Sequence, residues 1–287
     1  MTAEEHPRGW AWAAFAWPAV MLGVFFLIPF GIMLAVSFYH RVEGAFYEPA
    51  FELANYARFL TPFFGRVLAF SLGVSALAAA LVVSIAFPFT YFLTRLPRRR
   101  QVPFLVFILA VLSLSEVIVG FAWSTLLSRT AGLSNLLVWL GLLDRPQAWS
   151  PGFTALLVGL CYLGFPYTVL ILYPALPRLD PELPEASRML GASPWRTFFL
   201  IVVPSMRASI LGASIMGFVF NLGAFLLPQV LGRPQHWTLS VHITDQAVLQ
   251  SNLPFAAAMA VFLMLFSLAL IGLTLLVGGN RAAATVR

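Results

Sequence analysis

The stretch LPEASRMLGASPWRTFFLIVVP, from Leu183 to Pro204, lies between two long apolar runs and differs in character from both. It carries charged side chains and a glycine near its centre, Gly191, and it is bounded by Pro184 and Pro204. Because proline removes a helix hydrogen bond and clashes with the preceding turn, the stretch cannot be one continuous membrane-spanning helix. It therefore predicts a loop that folds outside the apolar core of a membrane.

The first half of this loop is predicted to form a short helix. Pro181 and Pro184 suit a first helical turn. The acidic side chains of Asp180, Glu182 and Glu185 complement the positive end of the helix dipole. Gly191 is expected to close this helix, since glycine adopts the left-handed conformation at little steric cost.

The second half is predicted to form another helix. Ser193 is a favourable N-cap and Pro194 a favourable first helical residue. A helix is therefore expected to run through Trp195, Phe198 and Phe199 towards the membrane. The loop is thus predicted to consist of a helix, a glycine elbow and a second helix.

The first loop helix has one apolar face, on which side chains recur every three or four residues: Leu183, Ala186, Met189 and Leu190. Glu185 and Arg188 flank this face. Such a helix needs a surface to pack against. The candidates are a lipid headgroup layer, the protein's own helix bundle and another protein.

The chain as a whole is far more apolar than a soluble domain, with 60% hydrophobic and only 10% charged residues among 287. Six apolar runs each exceed the roughly 20 residues that cross a bilayer: Trp10–Tyr39, Val67–Thr94, Gln101–Ser128, Pro146–Pro177, Ala208–Gly232 and Gln246–Asn280. An all-α integral membrane protein with six transmembrane helices is predicted. The first run is too long for a cleaved signal peptide and is expected to remain as an anchor.

The arginines predict the orientation of these spans. The cluster RLPRRR, Arg95–Arg100, is a concentrated positive-inside signal between the second and third runs, and its side chains suit lipid headgroups. With the amino terminus inside, residues 1–9 and 281–287 form cytoplasmic tails. Residues 10–280 form the six-span domain, and the loop at residues 176–204 lies in the cytoplasm.

Several chemistries are disfavoured by residue counts. One cysteine excludes an intrachain disulfide, and the four histidines lack the spacing of a metal site, so none is expected. All 17 basic residues are arginines. A phosphate-binding loop of the GxxxxGK[ST] type requires a lysine, so the chain cannot hold ATP by itself, and no catalytic residues are assigned.

The loop resembles the EAA loop of the permease subunits of binding-protein-dependent ABC importers. That family pattern is met at Glu185, Ala186, Gly191, Ile201 and Pro204, with Ser187 and Val203 as conservative departures. The resemblance implies a type I ABC importer permease architecture. It also implies that the loop couples the chain to an ATPase through Glu185, Ala186, Ser187, Arg188, Met189, Leu190, Gly191, Ala192 and Trp195.

Three further segments resemble the spermidine/putrescine-type branch of the family: GLSNLLVWLGL, FPYTVLILYPALPRLDPELPEA and LGAFLLPQVLG. This likeness favours a polyamine-like cation as the solute. The branch also includes permeases for ferric iron, phosphonates and opines, so these solutes stay open.

The resemblance also implies the remaining parts of an importer in the bacterial inner membrane. Two ATP-binding subunits would carry ATP and Mg²⁺, while this chain would have no cofactor. A second permease chain, identical or related, would complete the pore, and a periplasmic protein would deliver the solute. Lipid is the other partner, and nucleic acid is not expected.

Polar and small residues inside the spans predict the translocation pathway. Two stripes are expected at helical spacing, Ser113, Glu116, Gly120 and Ser124 in the third span and Ser214, Gly217, Asn221, Ala224 and Pro228 in the fifth. Small residues also permit close helix packing, which is the alternative for most of them. The pathway candidates are Ser113, Glu116, Ser214 and Asn221, and Glu116 is the foremost because an ionisable group inside a span is costly.

Two other functional classes compete with the importer. A secondary transporter or channel would show inverted repeats or several intramembrane charges, and the sequence shows neither. An intramembrane enzyme would show a HExxH motif or paired carboxylates, which are also missing from the sequence.

Overall fold

The computed structural model describes residues 9–42, 44, 46–130 and 132–283, with side-chain surroundings for residues 15–42, 44, 46–130 and 132–272. Within these ranges the chain is helical, with two isolated β-bridges and no β-strand. In chain order the helices are α1 (Gly9–Leu22), a π-helical turn (Gly23–Leu27), α2 (Ile28–Val36), α3 (Ala54–Phe59), α4 (Pro62–Arg95), α5 (Arg98–Leu112), α6 (Glu116–Leu126), α7 (Leu133–Trp139), α8 (Phe153–Leu172), a 3₁₀ turn (Leu176–Arg178), α9 (Glu182–Met189), α10 (Pro194–Thr197), a π-helical turn (Phe198–Val202), α11 (Val203–Ser205), α12 (Arg207–Gly223), α13 (Leu226–Leu231), a 3₁₀ turn (Pro234–His236), α14 (Leu239–Thr244), a π-helical turn (Asp245–Leu249) and α15 (Leu253–Ala283).

The all-α, six-span prediction is confirmed, with a change in the shape of two spans. Four segments are single apolar helices of spanning length: Phe15–Val36, Pro62–Arg95, Phe153–Arg178 and Leu253–Gly272. Two more are bent pairs, Arg98–Leu112 with Glu116–Leu126 at 95° and Pro194–Ser205 with Arg207–Gly223 at 73°. The predicted tails fall mostly outside the described residues.

The third predicted span is wrong as one continuous helix, because the chain breaks between Leu112 and Glu116. Ser113 caps the end of α5, and Ser115 takes an extended conformation from which its hydroxyl accepts a hydrogen bond from Val117 N. Serine side chains compete for backbone groups in this way and favour helix ends over helix interiors.

The fifth and sixth predicted spans also have different bounds. Helix α12 ends at Gly223, and Ala224 is extended, which suits Pro228 because the proline ring would clash with the Ala224 carbonyl in a continuous helix. Helix α15 begins only at Leu253, next to Pro254. By contrast, α8 runs through a buried Pro166 without ending.

The chain divides into two compact units. The first, Met1–Thr61 with Ile243–Phe266, contains α1 to α3 and the first part of α15. Tyr56 and Ser37 share a hydrogen bond of 2.8 Å, and the Arg58 guanidinium lies 4.5 Å from the ring centre of Phe255. Arginine over an aromatic face gains a cation–π attraction.

The second unit, Pro62–His242 with Ser267–Arg287, is centred on α4, α8 and α12. These helices approach closely through small residues. A Cβ at Gly217 would lie 3.7 Å from that of Ala79, and a Cβ at Gly164 would lie 3.5 Å from Val82 Cγ2. Small residues permit this approach, so Gly217 serves helix packing.

Candidate functional site

The loop between α8 and α12 contains the predicted coupling residues, and its first helix is α9. Asp180 Oδ1 accepts a hydrogen bond of 3.0 Å from Glu182 N, satisfying one free donor at the start of the helix. Glu182 and Glu185 lie in the first turn and Arg188 in the last. These charges all match the helix dipole, and the predicted helix is confirmed.

The predicted glycine elbow is also confirmed. Gly191 has φ +83°, Gly191 N donates to Arg188 O at 2.9 Å, and Ala192 N donates to Ser187 O at 3.1 Å. These two bonds form a Schellman motif, in which a left-handed residue closes a helix and satisfies its last carbonyls. The chain therefore turns sharply within one residue.

The second loop helix begins as predicted. Ser193 is the N-cap of α10, its hydroxyl accepts a hydrogen bond from Arg196 N at 3.3 Å, and Pro194 follows at the first helical position. A bond of 3.1 Å joins Ser187 Oγ to Thr197 Oγ1, so the two loop helices are tied to each other.

The base of the loop is anchored to the end of α4. Phe198 is buried, and its ring centre lies 5.7 Å from that of Phe87 and 5.2 Å from that of Tyr91. The Arg95 guanidinium also stacks on Tyr91, 4.2 Å from the centre of its ring. Aromatic contacts of this kind stabilise beyond simple area burial. Phe198 therefore packs the base of the loop directly against α4.

The tip of the loop presents large apolar side chains to the outside. Met189 is 88% exposed, Leu190 89% and Trp195 71%. Hydrophobic side chains clustered on an exposed surface mark interaction sites. The exposure of this tip excludes the alternative in which the apolar face docks on the protein's own bundle.

The other predicted coupling residues surround the tip in two groups. Glu185, Ala186, Arg188 and Gly191 are exposed, while Ser187 and Ala192 are half-buried. A cavity of about 420 Å³ separates the loop from α4, and Arg188, Trp195 and Phe92 contribute to its lining. Sequence reasoning missed Thr197 and Phe198, which hold the loop in place. For Thr197 the signal was its position on the helix face opposite Trp195; the sequence offered none for the role of Phe198.

Glu116 is not in the middle of a helix, as the sequence suggested, but at the first position of α6, directly after the bend. A helix amino terminus favours a carboxylate by about 0.3–1 kcal/mol, which offsets part of its cost in a membrane. Its Oε1 atom is buried without a hydrogen-bond partner. A buried acceptor without a partner in its own chain can accept a hydrogen bond from a ligand or from another subunit.

The predicted stripe of the third span is broken by the same bend. Ser113 belongs to the end of α5, is exposed, and donates its hydroxyl proton to Leu109 O at 3.0 Å. Gly120 packs against α13, since a Cβ there would lie 3.5 Å from Leu227 Cδ2. Of this stripe, Glu116, Gly120 and Ser124 remain on one helix, α6.

The stripe of the fifth span is also shortened, because Ala224 and Pro228 lie beyond the end of α12. Ser214 is half-buried and donates to Ile210 O at 2.8 Å. Asn221 is fully buried, and neither atom of its amide has a hydrogen-bond partner. The four pathway candidates are joined to one another by no hydrogen bond in the described part of the chain.

No group of three or more histidine, cysteine, aspartate or glutamate residues comes together within the described ranges. The only cysteine of the sequence, Cys161, is half-buried on α8.

The family model of the "binding-protein-dependent transport system inner membrane component" matches residues 98–279, more than half of the chain. Among curated proteins, the spermidine/putrescine transport system permease protein PotB of Escherichia coli K12 is 30% identical over 257 residues, covering 89% of this chain and 92% of the relative. A putative ferric transport system permease protein, FbpB 1 of Haemophilus influenzae, is 24% identical to this chain. The matched region covers 93% of this chain and 41% of that relative.

Solved structures show the same fold at lower identity. A chain of a bacterial alginate ABC transporter, solved with its periplasmic protein bound to an alginate pentasaccharide, matches with a TM-score of 0.75 at 18% identity over 93% of both chains. A chain of the MetNI methionine ABC transporter matches with a TM-score of 0.55 at 16% identity, over 79% of this chain and all of that one.

Proposed function

This chain belongs to the family of inner membrane components of binding-protein-dependent transport systems, and we propose that it passes a polyamine-like cation from the periplasm to the cytoplasm. It is a multi-pass permease subunit of an ABC importer in the inner membrane. A permease of this class moves a solute and is not itself a catalytic enzyme.

The exposed apolar tip of the loop supports docking onto an ATP-binding subunit. Met189 and Leu190 stand at the end of α9, on a turn that Gly191 fixes and that the Ser187–Thr197 bond braces. A rigid apolar projection can fill a pocket on a partner with little loss of conformational entropy. Glu185, Arg188 and Trp195 would form the rim of this contact, with Ala186 and Ala192 allowing close approach.

The rest of the importer belongs to other subunits in this proposal. Two ATP-binding subunits would hold ATP and Mg²⁺, because a chain without lysine has no phosphate-binding loop of the usual type. A second permease chain would complete the pore, and a periplasmic protein would deliver the solute. Closure of the ATPases would push on α9, and Phe198 would transmit that push to α4.

Two observations support a polyamine-like cation as the solute. The relatives at 30% identity are named for spermidine and putrescine, and Glu116 offers a buried carboxylate oxygen without an internal partner. A carboxylate can bind an ammonium group through a charge-assisted hydrogen bond. Ser113, Ser214 and Asn221 would be weaker polar contacts in the pathway.

The test is ATP-dependent uptake into proteoliposomes that contain the full importer with its periplasmic protein. Radiolabelled putrescine and spermidine should accumulate, and ferric iron and a phosphonate should not. Uptake of ferric iron or the phosphonate in place of the polyamines would overturn the choice of solute and leave the importer assignment intact. Absence of the ATP-binding subunits from a complex purified through this chain would contradict the docking proposal.

A further inference from the structure

A wide apolar groove of about 900 Å³ lies between α4, α5 and α8 in the second unit, and neither the loop residues nor the pathway candidates belong to its lining. Ile85 of α4, Phe104 and Phe107 of α5 and Cys161 of α8 contribute to its walls. Ile85 is 60% exposed and Phe107 69%, so the groove opens to the outside of the unit. Because α4, α5 and α8 all belong to candidate membrane-spanning segments, the groove lies in the spanning part of the chain.

Side-chain contacts fix the positions of the three helices that form the groove. At the arginine-bearing end, Tyr173 donates to Gln101 Oε1 at 2.6 Å, and Gln101 Nε2 donates to Leu96 O at 2.6 Å, which ties α5 to both α8 and the end of α4. Phe89 lies across the floor, with ring centres 5.3 Å from Phe165 and 6.2 Å from Phe104. These contacts fix α5 against α4 and α8 beside the groove.

Three unpaired cations stand at the same end. Arg98, Arg99 and Arg100 form the first turn of α5 and are exposed, and their guanidinium groups have no hydrogen-bond or ion-pair partner in the described part of the chain. Arg100 precedes Phe104, Phe107 and Val111 by four, seven and eleven residues. This spacing places Arg100 on the helix face that lines the groove, whereas Arg98 lies on the opposite face.

The length of the groove matches one leaflet of a bilayer. Along α5 it runs from Pro103 to Val111, a distance of about 12 Å at 1.5 Å per residue. Half of the hydrocarbon core measures about 15 Å. An acyl chain that entered beside the arginines would therefore end near the bend at the far end of α5.

We propose that this groove is a specific site for a phospholipid with an anionic headgroup. Its phosphate would bind Arg100, with Arg99 nearby, and an acyl chain would lie along Phe104, Phe107 and Cys161. A purely apolar occupant, such as a helix of the second permease chain, would cover the groove and leave the arginines without counter-charges. Basic side chains next to an apolar groove between helices are the combination that anionic lipids require.

The test uses the full-length chain in nanodiscs that contain trace phosphatidylglycerol or phosphatidylcholine with a photoreactive diazirine in the acyl chain. After irradiation, mass spectrometry maps the labelled peptides. We expect labelling of the α8 segment around Cys161 to be at least threefold greater with phosphatidylglycerol. Equal labelling by the two lipids, or labelling spread evenly over all spans, would overturn the proposal.

Matched variants separate the headgroup from the groove. Arg100→Gln should remove most of the preference for phosphatidylglycerol, and Arg100→Lys and Arg98→Gln should retain it. Val111→Trp fills the groove and should lower labelling around Cys161 severalfold, while Val106→Trp, on the outer face of the same helix, should not. If Val111→Trp leaves labelling unchanged, or if assembly with the second permease chain abolishes the labelling around Cys161, the groove is not a lipid site.

Discussion

Gly191 determines the direction of the chain between α9 and α10. Its backbone conformation explains why this position carries a glycine. Its φ of +83° lies in the left-handed region, although no atom stands within 4 Å of the position that a Cβ would occupy. The obstacle to a side chain is therefore the backbone conformation alone, which costs an L-residue about 1–2 kcal/mol.

We expect Gly191→Val to distort the turn and to reduce ATPase co-purification and transport-coupled ATP hydrolysis severalfold, with membrane insertion intact. Gly191→Asn is the matched control, because asparagine tolerates the left-handed region. The measurement is the amount of ATPase recovered with the tagged permease. Equal recovery with valine and asparagine would mean that the turn is not needed for docking.

Leu190 offers the simplest test of the apolar tip. Leu190→Ser should weaken ATPase binding by roughly tenfold or more, as expected for loss of a central interface side chain. Leu142→Ser is the control, since Leu142 is also a well-exposed leucine, at 69%, but lies far along the chain from the loop. Titration of the ATPase against each variant in detergent would compare the two. Similar binding by both would place the contact elsewhere.

Glu116 is the residue on which the choice of solute depends. Glu116→Gln keeps the size of the side chain and removes its charge, so polyamine uptake should fall about tenfold or more if a charged hydrogen bond worth about 1.5–3 kcal/mol is lost. Initial uptake rates in proteoliposomes would measure this, with assembly checked by gel filtration. Near-normal uptake by the glutamine variant would show that transport does not depend on the charge of Glu116.

At the scale of elements, the second unit depends on helix ends as much as on helix faces. Serines break the third span at Ser113 and Ser115, and the break places Glu116 at a helix amino terminus. At the other end of α5, Gln101 joins three helices through its side chain. These side-chain hydrogen bonds fix the direction of α5 relative to α4 and α8.

Tyr173→Phe should therefore destabilise the protein by about 1 kcal/mol, the usual net value of one hydrogen bond. The hydroxyl of Tyr173 donates to Gln101 at 2.6 Å, whereas Tyr167 packs its ring on Phe220 and is 42% exposed. Thermal unfolding in detergent would show a lower midpoint for Tyr173→Phe than for Tyr167→Phe. Identical midpoints would mean that the bond adds nothing to stability.

At the scale of the whole molecule, orientation in the membrane follows from the spans and the arginines. Six spans and the cluster Arg98–Arg100 predict that a tag after Arg287 and a tag within the cluster are cytoplasmic, whereas a tag near Asp144 is periplasmic. Protease protection of tagged variants in inverted vesicles would measure this. A periplasmic cluster would separate the loop from the ATPase and overturn the docking proposal.

The sequence by itself determined the membrane class, the helical content and the loop. These features depend on local properties: runs of apolar residues, the dihedral preferences of Gly191 and Pro194, and the capping chemistry of Ser193. Each acts within a few residues of chain, so it is visible without knowledge of neighbours. The family pattern around Glu185 and Gly191 added the prediction that ATP-binding subunits are the partners of the loop.

Only the tertiary structure decided which side chains are exposed and where the long helices break. The apolar tip at Met189 and Leu190 and the buried anchor at Phe198 have similar composition, and only packing against Phe87 and Tyr91 distinguishes them. The spacing of Asn221 predicted a pathway residue, and only the structure shows that this side chain is fully buried with neither amide atom hydrogen-bonded. The groove beside Arg100 is also invisible in the sequence, because its walls come from three helices, α4, α5 and α8, and their spacing depends on tertiary contacts between them.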